Sequence, residues 1–322
     1  MRKIFVNLFA LFMSVKLWWR NFRKNFKYRS RRNELFNLIG VDKKQYENDA
    51  DELRHGLSPE EIEKVNHILQ RMENVSQYNG GEYRLRDIYS AAEIKKFKAM
   101  NSIWSKVKYM GDYYQYKNFK LTKKTFEPSI FTDGYEINKL KTADKIRQDK
   151  ELAIFDVGAY IGDSALILRD FFPDNRIYAF EAIPDFCKEI EKTILLNDLK
   201  KVVPVNLALG DHIGTIECSY DGHTGLTKVD TLDNYVHKNN IRVGLIKTDI
   251  EGAEWALLLG ALETIREQKP TLIISIYHNY NDFFKIKPMI ESLGLGYTFS
   301  FTDSCYGLFP IHEITLNCEM VE

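Results

Sequence analysis

Residues 154–163 read Ile154-Phe155-Asp156-Val157-Gly158-Ala159-Tyr160-Ile161-Gly162-Asp163. The segment begins with apolar residues, becomes acidic at Asp156 and bends around two glycines, and a helical pattern follows at once over 164–172. This order of strand, glycine bend and helix is how α/β proteins bring backbone N–H groups and a helix N-terminus up to a ligand. A second apolar run over 177–180 ends in Glu181, whose carboxylate can accept hydrogen bonds from both hydroxyls of a ribose. We therefore expect a cofactor that contains a nucleoside.

The spacing of the bend distinguishes between cofactors. A dinucleotide fingerprint reads G-x-G-x-x-G, which leaves room for a pyrophosphate at the start of the helix. Here the spacing is Asp156-x-Gly158-x-x-x-Gly162, with Tyr160 near the place of a middle glycine and Asp163 beside the bend. A pyrophosphate would meet like charge at Asp163, whereas acids suit the ammonium and sulfonium groups of S-adenosylmethionine. The alternatives are a nicotinamide-dependent oxidoreductase and a bend that only closes a strand-to-helix turn.

Length and composition limit the number of domains and argue against a nucleic-acid partner, a zinc site and a disulfide framework. The 322 residues suffice for two or three domains, and a formal net charge of zero gives no argument for a nucleic-acid partner, so we expect none. The cysteines are far apart and form no C-x-x-C pair. Their spacing supports neither a zinc site nor a disulfide framework, and it fits a reducing, cytoplasmic compartment. They are Cys187, Cys218, Cys305 and Cys318.

The N-terminal segment, residues 1–33, differs from the rest in charge. It contains ten Lys or Arg and no Asp or Glu, so the remainder, with 35 basic and 45 acidic residues, carries a net charge of −10. The apolar run that begins at Ile4 is too short to span a bilayer, and no small-residue cleavage site follows it. Trp18 and Trp19, followed by a basic cluster, predict a segment on an anionic membrane surface, peripheral on its inner face. The alternative is a terminal helix packed on the protein's own body.

Two further regions follow this segment. Residues 34–150 are predicted to be mainly helical, with a capped helix start at Ser58-Pro59-Glu60-Glu61, and we expect them to support, cover or oligomerise a catalytic domain. Residues 151–322 alternate between strand and helix patterns, which predicts a doubly wound, mostly parallel α/β sheet with a last antiparallel pair. Other predicted helices cover 87–110, 138–150, 252–268 and 286–293.

Ionisable residues stand where the predicted strands end. In open α/β sheets ligands bind outside the carboxyl ends of the strands, so these residues are site candidates. Turns also favour Asp, and a single one would be weak grounds for a site, but acids after several strands exceed what turn chemistry explains. The candidates are Asp156 to Asp163, Glu181, Asp211, Asp249 to Glu254, and His278.

Five of these motifs occur in the order found in FkbM-type methyltransferases, and the chain resembles that family over about residues 150–302. The motifs are residues 155–163, Ala179-Phe180-Glu181-Ala182-Ile183-Pro184, Ala208-Leu209-Gly210-Asp211, Thr231-Leu232-Asp233, and Ile246-Lys247-Thr248-Asp249-Ile250-Glu251-Gly252-Ala253-Glu254. The resemblance implies a class I methyltransferase with a Rossmann-like, seven-stranded sheet that uses S-adenosylmethionine. This chain departs from the family at Tyr160, where Asn is frequent, and at Ala182, where Pro is common. Residues 1–149 have no counterpart in the resemblance.

The resemblance also implies roles for particular residues. The implied cofactor-binding residues are Asp156, Gly158, Tyr160, Gly162, Asp163, Glu181, Ala182, Asp211 and Asp249, with Asp211 near the adenine. Asp249 would lie near the transferred methyl, and either Asp249 or His278 could be the base for an alcohol acceptor. Glu251 and Glu254 either bind the acceptor or complement the dipole of the helix that they begin. Asp249 and His278 form an incomplete ligand set, so we expect no metal.

These inferences together predict an O-methyltransferase that uses S-adenosylmethionine. The resemblance implies that its acceptor is a small molecule or a hydroxyl of a sugar or glycan, such as a capsule- or O-antigen-like polysaccharide or a lipid-linked precursor. The alternatives are the oxidoreductase named above and a non-catalytic adaptor that retains the methyltransferase fold.

Overall fold

The computed structural model describes residues 28–29, 43–78, 82–124, 126–305 and 312–321. The predicted membrane-surface segment therefore lies outside the described residues, apart from the strand β1 (Tyr28–Arg29). Among the helices that the structure does describe, none combines the length and the apolar composition that crossing a bilayer requires.

The region before residue 151 is mainly helical, as predicted. Ser58 caps the second helix by accepting a hydrogen bond from the Glu61 N–H, and Pro59 occupies the first turn. The predicted helix over 87–110 is shorter and ends in a 3-10 turn, and a three-stranded antiparallel sheet follows it. The helices are α1 (Lys43–Arg54), α2 (Pro59–Ser76), α3 (Leu85–Ile88), α4 (Ala91–Asn101), α5 (Pro128–Asp133) and α6 (Ala143–Gln148), with 3-10 turns at Ser102–Lys106 and Gly134–Lys139. The strands are β2 (Glu82–Tyr83), β3 (Lys108–Tyr109), β4 (Tyr114–Tyr116) and β5 (Phe119–Leu121).

From residue 151 strands and helices alternate. The strands are β6 (Ala153–Val157), β7 (Ile177–Glu181), β8 (Val202–Asn206), β9 (Ala208–Leu209), β10 (Gly214–Tyr220), β11 (His223–Asp230), β12 (Val243–Thr248), β13 (Thr271–Ser275), β14 (Thr298–Asp303) and β15 (Ile314–Glu319). The helices are α7 (Asp163–Phe171), α8 (Pro184–Asn197), α9 (Leu232–Asn239), α10 (Glu254–Leu259), α11 (Leu262–Gln268) and α12 (Tyr280–Ser292).

The helices predicted over 138–150, 252–268 and 286–293 also differ from the structure, and the first of them covers only Ala143–Gln148. The helix over 252–268 is interrupted at Gly260, which packs so closely on Gly210 that a Cβ there would lie 2.0 Å from its carbonyl oxygen. The helix predicted from residue 286 begins earlier, at Tyr280, because the side chain of Asn279 accepts a hydrogen bond from the Asp282 N–H and caps it.

The main sheet has seven strands in the order β14-β15-β13-β12-β6-β7-β8. The five strands from β13 to β8 are parallel, and β15 pairs antiparallel with both β13 and β14. Strand β6 lies near the centre of the order, so the glycine bend that follows it opens between β7 and β12. The predicted mostly parallel, doubly wound sheet and its last antiparallel pair are therefore confirmed.

The helical region packs on both faces of the sheet. Leu53, Ile68 and Met72 of α1 and α2 are fully buried in one hydrophobic cluster with Phe283 and Phe284 of α12. A second cluster joins the segment over 103–146 to the helices α7 and α8 on the opposite face. The predicted boundary at residue 150 stays a prediction, since both cores cross it.

Candidate functional site

A cavity of about 820 Å³ opens at the carboxyl ends of β6, β7 and β12. This volume lies within the range of small-molecule sites, roughly 300–1,000 Å³. Its lining comes from three groups of residues. The sheet and its loops contribute Val157, Gly158, Tyr160, Asp163, Ser164, Phe180, Glu181, Ala182, Ile183, Phe186, Leu207, Ala208, Leu209, Lys247, Asp249, Ile250, Glu251, Ala253 and Tyr277. The hairpin β10–β11 contributes Ile216, Cys218, Ser219, Tyr220 and Asp221, and the third group is Phe126, Glu127, Ile130, Tyr135, His312 and Glu313.

The loop after β6 approaches the loop after β12 very closely. Gly158 has a φ of +79°, and a Cβ built on it would lie 1.9 Å from the carbonyl oxygen of Asp249. Tyr160 also has a positive φ, +47°, a conformation in which Asn is enriched and which costs a bulky residue free energy. This conformation explains why Asn suits the position in the family that the sequence resembles. Gly162, with a φ of +84°, starts α7 outside the cavity lining.

Asp156 lies beneath the cavity rather than in its lining. Its side chain is fully buried, accepts a hydrogen bond from Ser164 Oγ at 2.6 Å and forms an ion pair of 3.1 Å with Lys247. Lys247 Nζ also donates to the carbonyl oxygen of Gly158 at 3.1 Å. Burial acts to lower the pKa of Lys247, but the carboxylates of Asp156 and Asp249 together raise it. Lys247 therefore stays protonated and fixes the glycine loop from below.

Glu181 ends β7 and faces the cavity. Its two carboxylate oxygens accept hydrogen bonds from the backbone N–H of Tyr160 at 2.9 Å and of Ile183 at 2.8 Å. A carboxylate has about four lone-pair sites, so each oxygen can accept one more donor from a ligand. Burial raises the pKa of Glu181 to about 7. Further hydroxyl donors would stabilise the ionised form, as a ribose diol does.

The glycine bend is flanked by an acid and an aromatic wall. Asp163 is buried at the start of α7, accepts a hydrogen bond from the Glu127 N–H at 3.2 Å, and has its pKa raised to about 6 by burial. The ring of Tyr160 meets Phe186 at 4.6 Å and Tyr220 at 5.9 Å, both edge to face. This wall fastens the hairpin β10–β11 over the bend.

The structure does not bring Asp211 to the cavity. Its side chain is half exposed in the turn after β9 and lies 2.7 Å from His212. Apolar side chains from Leu207 to Leu209 line this end instead, with Ile183 and Ile216. Asp211 therefore lies outside the cavity lining, and its place near the adenine stays a prediction.

Asp249, Glu251, Glu254 and His278 come together after β12. The side chain of Asp249 is partly exposed to the cavity, whereas Glu254 is fully buried and accepts hydrogen bonds from the backbone N–H of Ile250 and of Gly252. Glu254 therefore closes the turn before α10 and does not line the cavity, unlike Glu251.

His278 is enclosed by these acids and does not line the cavity. Its ring nitrogens lie 3.2 Å from Glu254, 3.4 Å from Asp249 and 3.7 Å from Glu251. Burial acts to lower the pKa of His278, yet the three carboxylates raise it to about 9. A protonated imidazole has no lone pair for a proton, so this geometry favours Asp249 over His278 as a base. One ligand atom from each of Asp249, Glu254 and His278 lies within 4.8 Å of the others, and a metal ion there would have to displace the proton that these acids favour on His278.

A second acidic group, which no sequence pattern indicated, lies on the opposite side of Asp249. Tyr277 donates its hydroxyl to Glu313 at 3.0 Å, and the same oxygen lies 3.3 Å from Asp249. Burial and the neighbouring Asp249 raise the pKa of Glu313 to about 8. Ser129 connects this group to the helical region by donating to Glu127 at 3.0 Å, with Glu313 3.5 Å away.

Several solved structures show partial similarity to this chain. The methyltransferase FkbM of Methylobacillus flagellatus KT has 18% sequence identity and a TM-score of 0.45, over 71% of this chain and 60% of its own, so the chain spans less than two thirds of that neighbour. An rRNA methylase of Streptococcus thermophilus has 13% identity and a TM-score of 0.35, over 56% of this chain and 95% of its own. The Pyrococcus abyssi tRNA (uracil-54, C5)-methyltransferase in complex with S-adenosyl-L-homocysteine has 10% identity and a TM-score of 0.34, over 67% of this chain and 44% of its own.

Sequence comparison identifies the segment that carries the acids. No curated protein shows significant similarity to the chain. Residues 227–301, which run from β11 into β14 and include Asp249 and His278, match the family model of the methyltransferase FkbM domain. Over this segment the chain is therefore similar to the FkbM domain of methyltransferases.

Proposed function

We propose that the chain is an S-adenosylmethionine-dependent O-methyltransferase whose acceptor is a hydroxyl of a sugar or glycan. One observation carries the proposal: Glu181 at the end of β7 and Asp249 after β12 face the same cavity from either side of β6. This is the place where open α/β sheets bind their ligands.

The residues of the cavity fit S-adenosylmethionine. Glu181 keeps lone pairs for the ribose hydroxyls, and the apolar segment over 207–209 suits the flat face of an adenine. Gly158 lets the backbone approach where a Cβ would collide with the loop of Asp249. Asp163, ionised at neutral pH, suits the ammonium of the cofactor and opposes the pyrophosphate of a dinucleotide. These contacts favour the methyltransferase over the nicotinamide-dependent oxidoreductase.

The proposed chemistry makes modest demands on the protein. S-adenosylmethionine supplies an electrophilic methyl group on its sulfonium. Asp249 would accept the proton of the acceptor hydroxyl, since it faces the cavity with its carboxylate held between Tyr277 and His278. The ring of His278, 3.4 Å away, keeps that carboxylate oriented. The aromatic wall around Tyr160 would exclude water from the reacting groups.

Calorimetric titration with S-adenosylhomocysteine tests the cofactor. We expect micromolar binding by the wild type and about tenfold weaker binding by Glu181→Gln, a loss of about 1.4 kcal/mol. Glu191→Gln, on the exposed face of α8, is the matched control and should bind as the wild type does. Failure of the wild type to bind, in folded protein, would favour the non-catalytic adaptor. Tight binding of NAD instead would restore the oxidoreductase.

The N-terminal segment gives the proposal a location. Its ten basic residues and two neighbouring tryptophans support a peripheral position on the inner, anionic face of a membrane, where lipid-linked glycans would be accessible. Deleting residues 1–33 should move the protein into the soluble fraction of a cell lysate and abolish binding to anionic vesicles. Equal vesicle binding by both forms would contradict this location.

A further inference from the structure

The far wall of the cavity comes from the helical region that precedes the methyltransferase fold. Phe126, Glu127, Ile130 and Tyr135 line the cavity from α5 and the turns on either side of it. They stand on the side of Asp249 and Glu313, away from the apolar end near Leu207–Leu209. None of these four residues belongs to the segment that matches the FkbM domain.

This wall is held in place by contacts with the sheet and α7. The backbone N–H of Glu127 donates to Asp163, and Gly134 packs so closely on Phe171 that an added Cβ would be 3.0 Å from its ring. Ser129 donates to Glu127 and lies 3.5 Å from Glu313, which precedes β15. The wall is therefore positioned as firmly as the strand ends that it faces.

Tyr135 is the residue of this wall whose hydroxyl has no hydrogen-bond partner among the described residues, although its ring lies 5.7 Å from Lys247 Nζ. It is 8% exposed and lines the cavity, and its hydroxyl is buried. Its φ is +55° and that of Glu136 is +53°, a left-handed conformation that costs free energy in residues with a side chain. A buried hydroxyl without a hydrogen-bond partner costs further free energy. A ligand that bonds this hydroxyl would offset that second cost.

Two acidic side chains at this wall indicate the charge of that ligand, while Asp156, Asp249 and Asp163 also lie near Tyr135. Burial and the neighbouring Glu313 raise the pKa of Glu127 well above its usual range, and burial raises the pKa of Glu313 to about 8. Burial therefore favours the neutral form of both carboxyl groups, which donates and accepts hydrogen bonds. With the hydroxyl of Tyr135 and the rings of Phe126 and Tyr277, they suit an uncharged ring that carries several hydroxyls.

We propose that Tyr135 and Glu127 form the acceptor subsite of the cavity and bind the hydroxyls of a neutral sugar ring. This inference rests on the function proposed above and adds its specificity-determining residues. It assigns recognition of the acceptor to the region before residue 150, and leaves recognition of the cofactor to the strand ends.

The test measures glycoside binding by ligand-observed saturation-transfer NMR, with S-adenosylhomocysteine present. The probes are methyl glycosides of common hexoses together with N-acetylglucosamine and glucosamine. We expect the wild type to bind at least one neutral glycoside, and Tyr135→Phe to bind it about tenfold more weakly. Glu127→Ala, which removes both the donor and the acceptor, should weaken it as well. Tyr116→Phe, which removes a hydroxyl from a buried tyrosine outside the cavity lining, should bind as the wild type does.

Two further readouts separate recognition from folding. The affinity of Tyr135→Phe for S-adenosylhomocysteine should equal that of the wild type, and its thermal midpoint should not fall, since the lost hydroxyl has no protein partner among the described residues. Equal glycoside binding by Tyr135→Phe and the wild type would overturn the subsite. So would preference for the ammonium of glucosamine, or no glycoside binding by wild type that binds S-adenosylhomocysteine. If the wild type binds no S-adenosylhomocysteine, the proposed function fails, and the subsite is judged on glycoside binding alone.

Discussion

Gly158→Ala should destabilise the protein and disrupt the cofactor end of the cavity. The added Cβ would lie 1.9 Å from the carbonyl oxygen of Asp249 and 2.8 Å from its carbonyl carbon, both backbone atoms that cannot rotate away. The loops after β6 and β12 would have to separate by roughly 1 Å, a displacement that can cost about 100-fold in rate at an active site. Overpacking of this kind costs about 1–3 kcal/mol, and a left-handed alanine a further 1–2 kcal/mol or so.

Urea denaturation and titration with S-adenosylhomocysteine together measure this effect. Gly294→Ala is the matched control, because its φ of +67° imposes similar backbone strain while a Cβ there would meet nothing within 4 Å. We expect the control to lose only the conformational part, about 1–2 kcal/mol, and to keep full affinity. Gly158→Ala should lose about 2–5 kcal/mol and at least about tenfold in affinity. Equal losses of unfolding free energy and of affinity in the two variants would contradict the close contact between the two loops.

Two further predictions concern buried charge. Lys247→Met should cost about 3–5 kcal/mol in urea denaturation, because it removes the buried ion-pair partner of Asp156. Lys192→Met, on the surface of α8, should change stability by about 0.5 kcal/mol or less. A small loss at Lys247 would contradict the buried pair. The ligand-free protein should lose stability as the pH rises from about 5 to about 9. The folded pKa of Glu313, about 8, exceeds its unfolded value, so the unfolded state releases that proton at a lower pH and stability falls as the pH rises. The folded pKa of His278, about 9, also exceeds its unfolded value. The stability that its charge contributes is complete below the unfolded pKa and is lost as the pH rises through the folded pKa. A urea midpoint that rises over this range would contradict both assignments.

The fold could be predicted because its signals are local. A glycine bend, a capping Ser58 and an apolar run each depend on neighbouring residues, and the parallel order follows once strands and helices alternate. Ligands of open α/β sheets bind outside the carboxyl ends of the strands, and this rule placed Glu181 and Asp249 at one cavity for the same reason. Asp211 also follows a strand end but lies outside the cavity lining, because the course of a loop after a short strand depends on packing that no local pattern records.

The far wall of the cavity could not be predicted in this way. Glu127, Tyr135 and Glu313 meet only after the helical region docks on the sheet, and their spacing in sequence is unrelated to the strands that they face. Lys247 is different, because its signal was visible: a lysine within the apolar strand Val243–Thr248 must bury its charge beside an acid. A lysine in a central strand therefore indicates a buried acidic partner from the sequence alone.

The position of β15 inside the sheet has a consequence for how the protein is made. This strand pairs with β13 on one side and β14 on the other, so β14 cannot join the main sheet before β15 has formed. On the ribosome, residues 314–319 are synthesised after β13 and β14, and until they emerge the nascent chain presents an open, apolar edge at β13. Glu313 reaches the cavity at that same late step, so an incomplete chain has neither a closed sheet nor a complete site.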